Sequence, residues 1–338
     1  MSRLVSRLGA ISIKSGALPL FSWSLASHRD TTKPPVEVSI TEALESNEMQ
    51  DLRAYISKHV VQGQKVFFMG EHHEQPRILA AQLTILDELA KQGKEHKTPV
   101  VVVVEQFNVM QQPMLKTFNN MPENPEAGDE QAAATKLLDD YADDATEGWD
   151  LTHYVPLFML ARQARCKLVG GFPPRSWARI ISKEGVDALR EQQAQSIADI
   201  GFDRWDDLKC SPQHSAFLRA LMSGEPPALA DDNQPQKSMH TAQAFKDAML
   251  AFSIDKELNE NETAPIVLVI TGSGHCEYGF GGPERLRSLP RQDVNILICK
   301  SNQESTIWKS EHWAEEAQTA DRCIADAIFC YDQALTDA

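Results

Sequence analysis

Five apolar runs with few polar positions inside them recur along the chain and predict buried strands. They span residues 66–70, 100–105, 167–172, 266–272 and 294–300. Because the apolar residues are nearly continuous and do not alternate with polar ones, each strand should be covered on both faces. The pattern therefore predicts an α/β protein, a three-layer α/β/α fold with a mainly parallel sheet.

Helical periodicity fills the segments between these runs. After Pro76, which suits a first helical turn, leucines recur at spacings of four, three and three residues: Leu79, Leu83, Leu86 and Leu89. The connections after the second and third runs are much longer than one crossover helix and favour a helical lid or subdomain. Apolar residues from Trp308 to Tyr331 recur at mostly helical spacing and predict a final helix.

Three segments follow from these patterns: a leader over 1–35, an α/β domain with helical insertions over 50–300, and a C-terminal helical extension over 301–338. The leader is rich in serine, has no acidic residue before Asp30, and carries four basic residues: Arg3, Arg7, Lys14 and Arg29. This composition is typical of an organelle-targeting peptide. We expect mitochondrial import, with plastid import or a merely disordered tail as the alternatives.

Composition excludes several classes of function. The net charge of −15 comes without a stripe of Lys or Arg that could neutralise phosphates, so nucleic acid is not an expected partner. No run approaches the roughly 20 apolar residues of a transmembrane helix, and no transmembrane segment is expected. The six cysteines form no Cys-x-x-Cys pair, which indicates a reduced compartment.

Polar residues stand where four of the predicted strands end. The first strand leads into Glu71 and His73, the second ends in Glu105, and the fourth leads into His275. The third leads into an Arg175 turn. Since ligands bind outside the carboxyl ends of parallel strands, these groups should meet at one edge. Each alone could be a helix cap or a core histidine, but together two imidazoles and two carboxylates favour a divalent-metal site or an acid–base pair.

No nucleophile motif accompanies these residues. The segment Gly272–His275 follows a strand but lacks the Gly-x-Ser-x-Gly spacing of a nucleophile elbow. No cysteine is paired with a histidine by any recognisable motif. A serine- or cysteine-hydrolase reading is therefore weak.

The order of the motifs resembles the ChaN-like haem-binding family, part of the superfamily that includes TIKI metalloproteases and erythromycin esterases. The resemblance covers about residues 60 to 300. Its motifs, in chain order, are Gly70-Glu71-His72-His73, Glu105 with Gln111-Gln112-Pro113, Trp149 with Tyr154 and Pro156, Phe172-Pro173-Pro174-Arg175, Glu184-Gly185, Gln243 with Asp247 and Met249, Gly272-Ser273-Gly274-His275, and Gly281-Gly282-Pro283-Glu284-Arg285-Leu286. Two departures are the extra His72 and a Phe-Pro where an Asn commonly precedes the Pro-Arg pair.

The resemblance implies a protein of haem or iron handling that binds haem at the carboxyl edge of the sheet, with paired haems across a homodimer. No Cys-x-x-Cys-His is present, so the haem would be non-covalent. The resemblance makes Tyr278 and Tyr154 the axial candidates, with the rivals His72 and His73. The expected partners of the haem propionates are Arg175 and Arg285. The expected apolar contacts of the macrocycle are Phe107, Phe172 and Phe280.

Two other functions stay open at this point, and the chain is not assigned as an enzyme or a non-enzyme. A metal-dependent hydrolase would hold a divalent ion with Glu71, His73, Glu105 and His275, using the two carboxylates in catalysis. A pseudoenzyme or interaction module would keep the same residues without the chemistry. The four residues serve all three readings equally.

The leader gives a first testable prediction. A fluorescent reporter fused behind residues 1–35 should enter mitochondria, because the basic, acid-free composition is that of an import signal. A matched fusion with the four basic residues changed to glutamine should stay outside. Fluorescence microscopy distinguishes the outcomes, and a diffuse cytosolic signal from the unaltered fusion would contradict the prediction.

Overall fold

The computed structural model describes residues 4–5, 49–121, 129–144, 148–223, 238–301 and 324–331. The strands in these ranges are β1 (Leu4–Val5), β2 (Val66–Glu71), β3 (Val100–Asn108), β4 (Lys167–Phe172), β5 (Ile266–Gly272), β6 (Val294–Ser301) and β7 (Ala327–Tyr331). The helices are α1 (Gln50–Val61), α2 (Pro76–His96), α3 (Gln112–Asn119), α4 (Asp129–Asp144), α5 (Val155–Gln163), α6 (Arg175–Glu184), α7 (Val186–Gln192), α8 (Ala194–Ile200), α9 (Pro212–Ser223) and α10 (Ser238–Glu260).

The predicted parallel sheet is confirmed. Its strand order is β1-β7-β6-β2-β5-β3-β4. All neighbouring pairs from β7 to β4 run parallel, and only the two-residue strand β1 is antiparallel, to β7. Strand β5 lies between β2 and β3, so three of the predicted site segments leave the sheet from adjacent strands.

Each central strand contributes side chains to two cores, as the continuous apolar runs predicted. In β2, Phe67 and Met69 pack with α1, α2 and α5 on one face. Val66 and Phe68 face the opposite side, where Leu250 of α10 packs against the sheet. The sheet is therefore the middle layer of three, and its strands are shielded from water on both faces.

The helical insertion after β4 has a small core of its own. Trp177 and Ile181 of α6, Leu189 of α7 and Phe202 pack against Phe245 of α10. This arrangement agrees with the expected helical subdomain and anchors it to the sheet through the long helix α10. Within the described part of the chain, no helix is both long and apolar enough to cross a membrane.

The predicted C-terminal helix is wrong for its last five residues, which form a strand. Residues Ala327–Tyr331 form β7, which pairs parallel with β6. The segment AIFCY is apolar, β-branched and aromatic, and pairing satisfies backbone groups that β6 would otherwise present at an open edge. The rest of the predicted helix, 302–323 and 332–338, lies outside the described residues, as does most of the leader, 6–35.

A bulge in β3 shapes the edge where the polar residues lie. Val104 pairs with Gly170 and Asn108 with Phe172, so four steps along β3 match two along β4. The shift changes the side-chain alternation, and Phe107 joins the same core as Val104. Bulges re-aim side chains near functional sites, and this one contains Glu105 and Gln106.

Gly170 gives a prediction for this bulge. A Cβ at position 170 would lie 2.5 Å from the Asn108 carbonyl oxygen and 3.0 Å from that of Phe107. Because these atoms belong to the backbone, Gly170→Ala should lower the free energy of unfolding by about 3 kcal/mol, the upper range for overpacking. Denaturant unfolding measures this change.

Gly63→Ala is the matched control, since a Cβ there meets nothing within 4 Å. Its positive φ of 90° should cost about 1 kcal/mol. Equal losses in the two variants would show that the close approach at Gly170 does not constrain the bulge.

Candidate functional site

The Glu71 carboxylate is the most heavily bonded group at the carboxyl edge of the sheet. It ends β2, is 3% exposed, and accepts hydrogen bonds from four side chains. Tyr154 Oη donates to Oε1 at 2.7 Å, Gln106 Nε2 donates at 3.1 Å, and Gln82 Nε2 donates to Oε2. A buried carboxylate is tolerated because its oxygens are satisfied in this way.

His73 supplies the fourth hydrogen bond and faces outward. Its Nδ1 donates to Glu71 Oε1 at 2.8 Å, and its side chain remains 32% exposed. The ring meets Trp149 edge to face, with centroids 4.7 Å apart. Burial opposes protonation, but the bond to Glu71 and the charges of Glu105 and Glu74 outweigh it and raise the pKa of His73 to about 9. Fixing Nδ1 leaves Nε2 as the nitrogen that faces a ligand.

Gly272 lies between the two halves of the site. A Cβ on Gly272 would lie 3.3 Å from His73 Nε2 and 3.5 Å from Glu105 Oε2. Glu105 Oε2 also accepts the Gly272 backbone N–H at 2.7 Å and the Thr271 hydroxyl at 2.9 Å. Burial would raise the pKa of Glu105, but the charges of His275, His73 and Lys246 lower it. Glycine at the end of β5 thus lets an imidazole and a carboxylate approach the same point.

His275 belongs to the other half of the site. It sits in the short 3-10 turn Ser273–His275 after β5, and its Nδ1 donates to Asp247 of α10 at 2.5 Å. Its Nε2 lies 3.8 Å from Glu105 Oε1 and 3.1 Å from Gln243 Nε2. The charge and hydrogen bond of His275 hold the pKa of Asp247 below its usual range despite burial.

The structure brings Glu71, His73, Glu105 and His275 to one edge, where His73 is hydrogen-bonded to Glu71, while His275 lies 3.8 Å from Glu105 and is hydrogen-bonded to Asp247. Among the described residues, no group of three or more His, Cys, Asp or Glu side chains is arranged to hold a metal ion. The lone pairs of Glu71 are occupied by protein donors, and Nδ1 of His275 is committed to Asp247. The four side chains expected at a metal centre are therefore all engaged with protein partners within the described part of the chain.

Both tyrosines expected as axial ligands are buried. Tyr154 is 0% exposed in the turn before α5, and its hydroxyl is bonded to Glu71. Tyr278 is 3% exposed and packs with Phe217 and Phe280 in a small core against α9. Burial raises the pKa of both phenols well above 10. Neither environment favours the phenolate form that ligates iron.

The two arginines expected at the propionates differ in position. Arg285 is buried and donates to the backbone carbonyls of Asp207 and Gly281 and to Glu284 Oε1, so it holds a turn together. Arg175 is exposed at the start of α6, and its Nη1 lies 3.7 Å from where a Cβ of Gly148 would stand. The next residue after Gly148 is the Trp149 that contacts His73, so Arg175 lies at the rim of the site.

Of the other residues predicted to contact haem, two lie near the site and two lie in the core. His72 is partly exposed directly after β2. Phe172 lies beside His275, with ring centroids 4.6 Å apart. Phe107 packs against Tyr141 and other core rings, and Phe280 is 1% exposed, so these two are core residues and offer no apolar surface to a ligand.

Sequence reasoning did not assign Gln82, Gln106 or Asp247 to the site. Gln82 had a visible signal, since it is a polar residue within the apolar stripe of α2 and is 0% exposed. Asp247 lies on the buried face of α10 and was noted only as part of a family motif. Gln106 depends on the β3 bulge, for which the apolar run gives no warning.

The chain is similar to one protein family and to several solved structures. A family model described as haem-binding uptake, Tiki superfamily, ChaN matches residues 58–286. A solved structure described as cofacial haem binding to ChaN of Campylobacter jejuni aligns with a TM-score of 0.53 and 16% identity, covering 84% of this chain and 91% of that one. A mutant of the erythromycin esterase EreC in its open conformation aligns with a TM-score of 0.36 and 11% identity, covering 79% and 74%. No curated protein matches the sequence.

The bonding of Glu71 gives a prediction about stability. Glu71→Gln keeps the shape but replaces one acceptor oxygen with an amide that faces donors from Gln82, Gln106 and Tyr154. The free energy of unfolding should fall by about 1 to 3 kcal/mol, the cost of leaving buried polar groups unsatisfied. The exposed Glu95→Gln on α2 is the control and should change it by less than about 0.5 kcal/mol. A Glu71→Gln variant as stable as the control would contradict the network.

Proposed function

Because this chain belongs to the haem-binding uptake family ChaN of the Tiki superfamily, we propose that it binds haem non-covalently at the carboxyl edge of its sheet. The proposal rests on one observation above the others. His73 has Nδ1 fixed by Glu71 and Nε2 close to Gly272, with about a third of its side chain open to water. Among the residues predicted to bind haem, His73 has both a ring held by a hydrogen bond and a side chain that a ligand can reach from the solvent.

The bonds behind His73 resemble those of known metal-binding histidines. Histidines that ligate metals commonly donate the other ring nitrogen to a carboxylate, which sets the tautomer and the ring orientation. Glu71 provides this carboxylate and is itself held by Gln82, Gln106 and Tyr154. In this account Glu71 and Tyr154 act through His73 and do not touch the cofactor.

Neighbouring residues supply apolar and charged contacts of the kind that haem needs. Trp149 packs edge-on against His73 and offers an aromatic wall. Arg175 at the rim offers a forked cation for a propionate, and Lys246 is a second cation close enough to influence Glu105. Haem would supply an iron centre that binds a neutral imidazole nitrogen, and His73 Nε2 would be the nitrogen that holds it. His73 must therefore give up the Nε2 proton on binding, since a cationic ring has no lone pair to offer.

The proposed role is haem or iron handling. The cofacial haem binding described for the Campylobacter jejuni protein makes a homodimer with paired haems part of the proposal for this chain. Mitochondrial import, with plastid import as the alternative, adds the compartment proposed for this role and rests on the leader composition alone.

Haemin titration tests the proposal. Wild-type protein should show a saturable change in the Soret absorption, and His73→Ala should weaken binding about tenfold or more, equivalent to about 1.4 kcal/mol. His96→Ala, which removes an exposed histidine at the end of α2, should bind like the wild type. Tyr278→Phe should also leave the spectrum unchanged, because that phenol is buried among other rings.

Two results would overturn the proposal. One is the absence of any saturable haemin binding by the wild type. The other is an imidazole-independent spectrum that Tyr278→Phe abolishes and His73→Ala does not. Elemental analysis of the purified protein, run in parallel, would reveal a divalent metal that favours the hydrolase reading instead.

A further inference from the structure

The long helix α10 extends past the carboxyl edge of the sheet. Near its C-terminal end, Glu257 pairs with Lys167, the first residue of β4, with Oε1 and Nζ 2.7 Å apart. Nearer its start, Asp247 is hydrogen-bonded to His275, which follows the last residue of β5. The helix therefore runs antiparallel to the strands, and the residues before Asp247 lie beyond the edge at which the strands end.

One face of α10 is turned towards the candidate site. Four of its side chains share this face because they are spaced by four, three and four residues: Met239, Gln243, Lys246 and Leu250. Leu250 packs against the sheet. Gln243 Nε2 lies 3.1 Å from each ring nitrogen of His275, and Lys246 is close enough for its charge to act on Glu105. The face that packs on the sheet at Leu250 thus borders the site further up the helix.

Met239 is an apolar side chain on this face that stays open to water. Leu250 is 0% exposed, Gln243 and Lys246 are partly exposed, and Met239 is 52% exposed. A single exposed apolar residue is ordinary on a protein surface. Here the exposed thioether shares its face with an amide and an ammonium group that both reach residues of the site. Methionine is flexible and polarisable, and its sulfur makes favourable contacts with aromatic rings.

The face combines the two kinds of contact that a porphyrin requires. A porphyrin is a flat apolar ring with anionic propionates at its margin. Met239 offers an apolar contact for the ring, and Lys246 offers a cation for a propionate in a chain whose net charge is −15. Neither contact involves the metal at the centre of the ring, whereas His73 Nε2 would bind only that metal.

We propose that the face of α10 formed by Met239, Gln243 and Lys246 is a porphyrin-binding surface that holds the ring with or without iron. The inference rests on the proposed haem site for its location, and it widens the ligand class to iron-free porphyrins. Met239 packs against the ring, and Lys246 pairs with a propionate. His73 adds affinity only when iron is present. The affinity for the ring and the affinity for the iron are therefore set by different residues.

Fluorescence titration with iron-free protoporphyrin tests the proposal, beside an absorption titration with haemin, both on the full-length protein. The wild type should bind both ligands saturably. Met239→Gln keeps the length of the side chain but removes the thioether, and should weaken binding of both ligands about tenfold. Lys246→Gln should weaken both about threefold, as expected for a partly exposed ion pair. It should have no effect on binding of protoporphyrin dimethyl ester, which carries no propionate charge.

Two substitutions away from the site are the controls. Val61→Gln removes a 71% exposed apolar side chain at the end of α1, and Lys256→Gln removes a cation near the C-terminal end of α10. Both variants should bind the two ligands like the wild type. Met239→Gln should also melt at the wild-type temperature, because the side chain that it replaces is half exposed.

Two outcomes would overturn the porphyrin-binding surface. One is a wild type that does not bind iron-free protoporphyrin, and the other is a Met239→Gln variant that binds both ligands as tightly as the wild type. In either case, haemin binding that is lost in His73→Ala would leave the proposed haem site intact. Conversely, protoporphyrin binding that depends on Met239, together with haemin binding unaffected by His73→Ala, would support the surface and contradict iron ligation by His73.

Discussion

The buried carboxylate of Glu71 is the constraint on which the site depends. A negative charge at 3% exposure is stable only while donors surround it, and these come from α2, the β3 bulge, the turn before α5 and the loop after β2. One side chain therefore ties four segments into a single geometry. The orientation of His73 follows from this bonding together with its edge-to-face contact with Trp149, while part of the ring stays open to water.

Sheet order explains why the two halves of the site meet. Strand β5 enters between β2 and β3, so its terminal Gly272 lies between Glu71 on one neighbour and Glu105 on the other. A larger residue would fill the point that His73 Nε2 and Glu105 Oε2 approach. Backbone topology and the absence of a side chain at Gly272 thus allow this approach, and Asp247 of α10 holds His275 by a hydrogen bond.

The sequence was sufficient for the five strands β2 to β6, because continuous apolar runs need burial on both faces wherever they occur. It also placed Glu71, Glu105 and His275 at one edge of the sheet, because the carboxyl ends of parallel strands lie on the same side. It failed where a residue's surroundings come from distant segments. Tyr278 and Arg285 look available in a polar, glycine-rich stretch, yet α9 and the Asp207 loop enclose them. The C-terminal periodicity fitted a helix, but the open edge of β6 made Ala327–Tyr331 a strand.

The central claim is that the fixed imidazole of His73 faces the cofactor. A crystal structure of the haemin-loaded protein tests it most directly. The account predicts porphyrin density at the carboxyl edge of the sheet, with His73 Nε2 as an axial ligand, Nδ1 still bonded to Glu71, and Arg175 near a propionate. Density at another surface, or iron held by Tyr278 after its core has opened, would contradict it.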